Sequence, residues 1–440
     1  MPEIKNTFTQ GKMNKDLDER LVPNGQYRDA MNVQLSTSDG SDIGTVQNIL
    51  GNKSIENVVD ISDAKCVGSI SDEGKNRLFW FIKSNSVDAI IEYSVDMGVS
   101  AVLVDTKANT SESVLKFPNN IITGINVIDD LLLWTDGVSE PKKINIERCK
   151  LGNSTLTGLS SASHTKLVVG GVIVTDDNGG EVDLAEEHIT SIKKNPIRPL
   201  SIIAKEAEVD ESTDKLLGKT SLFEKIFPRF SYRYKYEDGE YSAYAPFTDV
   251  VFKSLWGEDP AENFYNVNNA YGTKEPYNNA MRNMLKSVEL KDFISPGMPE
   301  DVVQVDLLYK QENSNVIYIL EVIDSESEEW NRSGINSNSA YKGSFTVTSE
   351  NIYAALPENQ LLRPWDNVPK SALAQEVTGN RVVYGNYKQS YNVPTAPRVV
   401  AGFKLKGQSS ELGGLPSVKS QRDYQVGVVY GDKYGRETPV

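Results

Sequence analysis

Short apolar runs divided by polar turns dominate the first half of the chain. Between Lys65 and Asp105 they fall at 66–70, 78–82, 89–95 and 99–104, separated by SDEGKN, KSNSVD and DMG. Runs of this length, punctuated by Gly, Asp and Asn, predict a sheet meander. Leu78-Phe79-Trp80-Phe81-Ile82 is apolar on both alternating faces, which predicts an inner strand covered on both sides. Four such strands in succession make one blade of a propeller. The pattern restarts at 121–128, turns at Asp129-Asp130, resumes at 131–134, turns at Thr135-Asp136-Gly137 and resumes at 143–146. Propeller-like blades are therefore expected over 45–195.

Pro196 and Pro199 break the pattern, and the polar stretch 206–219 completes an expected linker over 196–219. Beyond it Phe230, Tyr232, Tyr234 and Tyr236 alternate with Ser231, Arg233, Lys235 and Glu237, the signature of a half-buried strand. Asp238-Gly239 is expected to turn it back into a strand over 241–247. Met281, Met284, Leu285 and Val288 recur at helical spacing behind Asn278 or Asn279, predicting a helix over 279–293. Strands at 302–309 and 316–323 form a second hairpin, so 220–350 reads as an inserted β-sandwich. Returning propeller strands are expected over 351–400, with Thr378-Gly379-Asn380 as a turn. The Gly/Ser stretch 407–414 leads to a strand at 424–430 and the turn Gly431-Asp432-Lys433, where Tyr430-Gly-Asp432 echoes Tyr236-Glu-Asp238. Residues 401–440 thus read as the incomplete start of a second sandwich, with the chain expected to be the N-terminal portion of a longer polypeptide. The fold class is mainly β: propeller-like blades with inserted immunoglobulin-like β-sandwich domains.

Residues 1–44 carry charges every few positions and no apolar core of a signal peptide. They read as an N-terminal arm or clasp, or equally as an ordered strand that closes the subunit's own propeller. No run approaches the roughly 18 apolar residues of a membrane span. Lys and Arg total 46 against 61 Asp and Glu, a net charge of −15, which disfavours an electrostatic grip on nucleic acid. Two His and two Cys offer little for metal or nucleophilic chemistry. Cys66 and Cys149 read as small buried thiols. His164 and His188 have no triad context, and there is no GxSxG elbow. Gly44 to Ser54 has the wrong spacing for a phosphate loop. Asn14-x-Asp16-x-Asp18 and Asp176-Asp177-Asn178-Gly179-Gly180 lack the spacing of a calcium loop and read as turns. A glycosidase carboxylate pair stays open among so many acids, with no pair singled out. The tyrosine ladder reads as core rather than a stacking platform, and Arg233 and Lys235 are expected to meet acids of a neighbouring chain. No cofactor or metal is expected.

The stretch FTQGKMNKDLDERLVPNGQYRDAMNV at 8–33, continuing to GSDIGTVQNILG at 40–51, resembles the opening of tail nozzle or muzzle proteins of short-tailed, crAss-like bacteriophages. FPRFSYRYKYEDGEYS at 227–242, RPWDNVPK at 363–370 and TGNRVVYGN at 378–386 extend the resemblance. It implies a virion structural protein of the tail, assembled in the host cytoplasm. It further implies a homo-oligomeric, hexameric ring that contacts other tail and portal-ring proteins and lets the genome pass without specific binding. Under that reading Lys12, Asp16, Asp18 and Arg20 are candidate subunit-docking residues. The acids Asp176, Asp177, Glu181, Asp183, Glu186 and Glu187 are candidates for an exposed, channel-facing loop. The alternative is a receptor- or glycan-binding tail component with depolymerase activity.

Overall fold

The computed structural model describes residues 10–35, 46–49, 51, 58–176, 178–206, 209–210, 215–216, 221–224, 226–252, 283, 285–312, 314–334, 340–350, 354–361, 368–389, 425 and 427–438. Asp177, residues 279–282, 284, 362–367 and 390–400, and the Gly/Ser stretch lie outside them. Two units are distinct, 1–57 and 58–440. In the first, β1 (Lys12–Met13) pairs parallel with β2 (Gln26–Tyr27), and β3 (Val33–Leu35) antiparallel with β4 (Val46–Asn48). Gly25 adopts φ +99°, and a Cβ there would meet the Gln10 side chain at 2.9 Å, so the turn before β2 requires glycine.

In the second unit β5 (Lys65–Asp72), β6 (Arg77–Lys83), β7 (Asp88–Ser94) and β8 (Gly98–Asp105) form an antiparallel meander in sequence order. The two-sided burial expected of β6 is present. Phe79 and Phe81 join one core with Ile90, Leu132 and Trp134, whereas Trp80 and Ile82 face a second with Ala89, Ile91 and Leu159. A second meander, β9 (Gly124–Ile128), β10 (Leu131–Thr135) and β11 (Lys142–Asn145), lies against the first through an edge-on Phe81–Trp134 contact at 5.7 Å. Asn145 then caps helix α1 (Ile146–Leu151) by accepting from Arg148 N. The small hairpin β12 (Val168–Val169) and β13 (Val172–Ile173) and the single turn α2 (Glu186–Ile189) follow.

The expected linker is partly strand: Ser201–Glu206 forms β14, and β15 (Val209–Asp210) pairs with β16 (Lys215–Leu216). Two sheets follow from β17 (Pro228–Tyr236), β18 (Leu285–Ile294), β19 (Val302–Gln311), β20 (Ile317–Asp324), β21 (Lys342–Val347) and β22 (Ala354–Ala355). Their orders are β14-β18-β21 and β17-β19-β20-β22, and both contribute to one apolar core. The tyrosine ladder lies in that core, and the hairpin expected from 302–323 is β19–β20.

Three expectations are corrected here. Leu285–Ile294 is a strand and not the end of a helix. Its register slips against β14 beside Lys205 and against β21 between Lys291 and Ile294, each time placing an extra residue on β18. These bulges turn two-residue alternation into the three-residue steps Leu285 to Val288 and Leu290 to Phe293, which imitate a helical period. β17 is covered on both faces, not one, because Leu308, Ile317 and Leu356 build a second cluster with Tyr244, Phe247 and Leu361. The segment after Asp238-Gly239 runs beside β17 without a ladder of its own. Amides 242, 245, 248 and 251 donate to carbonyls 234, 232, 230 and 228, three residues advancing against two.

β23 (Ser371–Thr378) and β24 (Arg381–Lys388) form a hairpin around the expected Gly379-Asn380 turn. It docks on the second meander, where Thr135 Oγ1 donates to Ala372 O at 2.7 Å. A Cβ on Gly124 would lie 3.0 Å from Gln375 N and 2.8 Å from Thr135 Cγ2. Gly124→Ala is therefore expected to cost about 1–3 kcal/mol by pushing the hairpin away. Faster amide exchange confined to 371–388 would check this. The described structure is mainly β with several small open sheets.

Candidate functional site

The charged groups of the second unit concentrate where the meanders, the two-sheet body and the C-terminal turn meet. Four consecutive residues, Glu140 to Lys143, reach all three. Arg436, 3% exposed, donates to both oxygens of Glu140 at 2.9 and 2.6 Å and to Asp432 at 2.6 Å. Burial opposes its charge, but Glu140 and Asp432 outweigh that and hold the guanidinium above the usual arginine range. Lys142 is wholly buried and lies 3.6 Å from Glu186 and 4.0 Å from Asp136. Burial still draws its ammonium below the usual lysine range. Lys143 crosses to the two-sheet body, meeting Asp238 at 3.1 Å and Glu240 at 2.6 Å.

Lys193 lies deeper in the same junction. It donates to His188 O at 3.0 Å, approaches Asp301 at 3.4 Å and Asp238 at 3.5 Å, and sits over the Tyr236 ring. Burial alone would raise the Asp238 carboxyl, yet Lys193 and Lys143 bring it down to about 2. Asp301 moves the other way, because burial outweighs the same lysine. A carboxyl depressed in the folded state contributes stability above its unfolded value that is lost as pH falls through its folded value. Asp238 should therefore contribute about 2 kcal/mol above pH ~4 and lose it towards pH ~2. Asp238→Asn is expected to remove that dependence, read as the wild-type minus variant difference in unfolding free energy between these pH values.

Several residues singled out in the sequence have other roles. Asp183 bridges Lys166 at 2.9 Å and Lys107 at 3.2 Å, Glu186 meets Lys116 at 2.5 Å, and Glu187 meets Lys194 at 3.2 Å. All three are half-buried, so the exposed-loop expectation is corrected for them: lysines of the same chain neutralise them. Asp176 is exposed and accepts from Asn178 N and Gly180 N as the cap of a turn, and Glu181 is exposed 3.9 Å from Lys166. Asp177 is outside the described residues. In the N-terminal unit Asp18 accepts from Arg20 N to open a single 3-10 turn, and Lys12, Asp16 and Arg20 are exposed. Among the described residues those three make no ion pair.

Arg233 does not await a neighbouring chain. It stands opposite Asp306 in the β17–β19 register and binds it at 2.8 Å. Lys235 donates to Gln304 at 3.1 Å. His164 accepts from Thr106 N at Nδ1 and contacts Leu184 O at Nε2. Cys149 is buried, its thiol pushed up to about 12, whereas Cys66 is exposed and both are free, so only Cys149 matches the buried reading. Among the described residues no group of three or more metal-binding side chains is gathered, and no helix is long and apolar enough to cross a membrane.

This geometry describes a β-rich scaffold whose charged residues fasten its own parts together. Residues 3–167 match the family model of the Crassvirus muzzle protein. No curated protein matches the chain. Over that stretch the chain is similar to crAss-like phage muzzle proteins, in agreement with the resemblance of its opening residues, and the match supports a structural role in the phage virion.

Proposed function

We propose that the chain is a subunit of a tail nozzle ring that forms part of the conduit for genome ejection. In this reading the meander sheets are blade-like units over 45–195, completed by returning strands over 351–400. The two-sheet body over 220–350 is an insertion, and 401–440 opens a second sandwich. Subunits assemble as a hexameric homo-oligomer against other tail and portal-ring proteins, and an acidic wall lets DNA slide without adhering. The exposed Asp176 and Glu181 are the acids left for that wall from the candidate loop.

The observation that carries the docking part of this reading is the N-terminal unit, where Gly25 is the one buried residue of those at 10–33 whose exposure is described. Met31 and Leu21 are 83% and 67% exposed. A segment with so little core offsets its ordering entropy through a partner. Lys12, Asp16, Asp18 and Arg20 would meet that partner. Deleting residues 1–40 should leave the second unit folded and abolish attachment to the ring above. A truncated protein that still enters tails would contradict the reading, and one that fails to fold would make the segment part of the subunit's own core.

A further inference from the structure

Across the junction the basic and acidic side chains are sorted by side. The meander body supplies Lys143, His188, Lys193 and Lys194. The two-sheet body supplies Glu237, Asp238, Glu240, Glu300 and Asp301. The contacts are Lys143 with Asp238 and Glu240, Lys193 with Asp238 and Asp301, and His188 Nε2 with Glu300 at 3.3 Å. Lys194 Nζ donates to Gly297 O at 2.9 Å, Tyr236 OH donates to Lys194 O, and Gly170 N donates to Glu237. Acids on the basic side are held by other cations: Glu187 by Lys194, Glu186 by Lys116 and Lys142, and Glu140 by Arg436.

The apolar cores on the two sides have no residue in common. The rim is open to water, since the Glu240 and Glu300 side chains are 39% and 49% exposed. Ion pairs that exchange hydration for one another give little net free energy, and salt weakens those at a wet rim first. Domain contacts of this polar kind permit relative motion, whereas a shared apolar core would forbid it. The linker carries Pro196 and Pro199 around Ile197, which is 67% exposed.

We propose that the two-sheet body is a docked arm, held on the meander body by an ionic latch that opens on the Pro196–Pro199 linker while both bodies stay folded. The C-terminal turn straps the closed state. Asn195 N donates to Lys433 O, a Cβ on Gly435 would meet Ala243 at 3.3 Å and Asn195 at 3.4 Å, and Arg436 holds Glu140.

Lys143→Glu in the full chain, with Glu240→Lys added as a rescue, tests the latch without touching a core. The single variant should speed tryptic cleavage of the Lys194–Asn195 bond at least tenfold. It should also raise amide exchange at 236–241 and 297–301 while β6 and β19 stay protected. High NaCl should do the same to the wild type, and the double variant should restore slow cleavage. Unchanged cleavage in the single variant and at 1 M NaCl would overturn the proposal. So would loss of protection in β6 and β19 in step with the junction, since the two bodies would then be one cooperative unit.

Discussion

Arg233→Met lowers the stability of the two-sheet body by about 3–5 kcal/mol, because it leaves the Asp306 carboxylate buried without its counter-charge. The two side chains are 2% and 1% exposed, paired at 2.8 Å directly across β17 and β19. Gln360 accepts from the same guanidinium at 3.0 Å, and the Tyr241 ring lies beneath it at 3.9 Å. Adding Asp306→Leu should recover most of the loss, since replacing both partners removes the uncompensated charge. Denaturant unfolding of the single and double variants measures both values. A single variant within about 1 kcal/mol of wild type would mean that water reaches the pair.

Trp134→Ala should cost a similar amount, about 3–5 kcal/mol, in the other core. Trp134 is fully buried on β10 and meets Phe81 edge-on between the two meanders. Among the described residues its indole N–H has no hydrogen-bond partner. Trp134→Phe is therefore expected to cost far less, because it sheds an unpaired polar atom together with part of the ring. Thermal unfolding of the two variants separates packing from hydrogen bonding: equal losses would show that the N–H matters.

Sequence pattern was informative wherever alternation was uninterrupted and turns carried Gly, Asp or Asn. Both meanders, the β19–β20 hairpin, the Gly379-Asn380 turn and the buried tyrosine ladder were legible for that reason. β18 was not, because two bulges shift its alternation by one residue each and counterfeit a helical period. Arg233 was misread because nothing local shows that Asp306, 73 residues away, faces it. The junction was legible only as unassigned charge doublets: Lys142-Lys143 and Lys193-Lys194 on one side, Glu237-Asp238 and Glu300-Asp301 on the other. Which doublets meet depends on the packing of bodies far apart in the chain. The acids of the expected channel loop show the converse. Their clustering was visible, but not that Lys107, Lys116, Lys166 and Lys194 return to neutralise part of it.

These features fit a protein that acts through assembly. Its buried charges face partners inside the chain, its best-formed polar cluster joins its own bodies, and its least-buried unit is the N-terminal one. The central claim is that this chain is a ring-forming part of the tail conduit, and a cryo-EM map of the intact virion tail tests it most directly. The account predicts multiple copies around the tail axis, each with density for the meander and two-sheet bodies and an N-terminal segment contacting the ring above. Absence of the chain from the tail, or its presence as an isolated copy away from the axis, would contradict it.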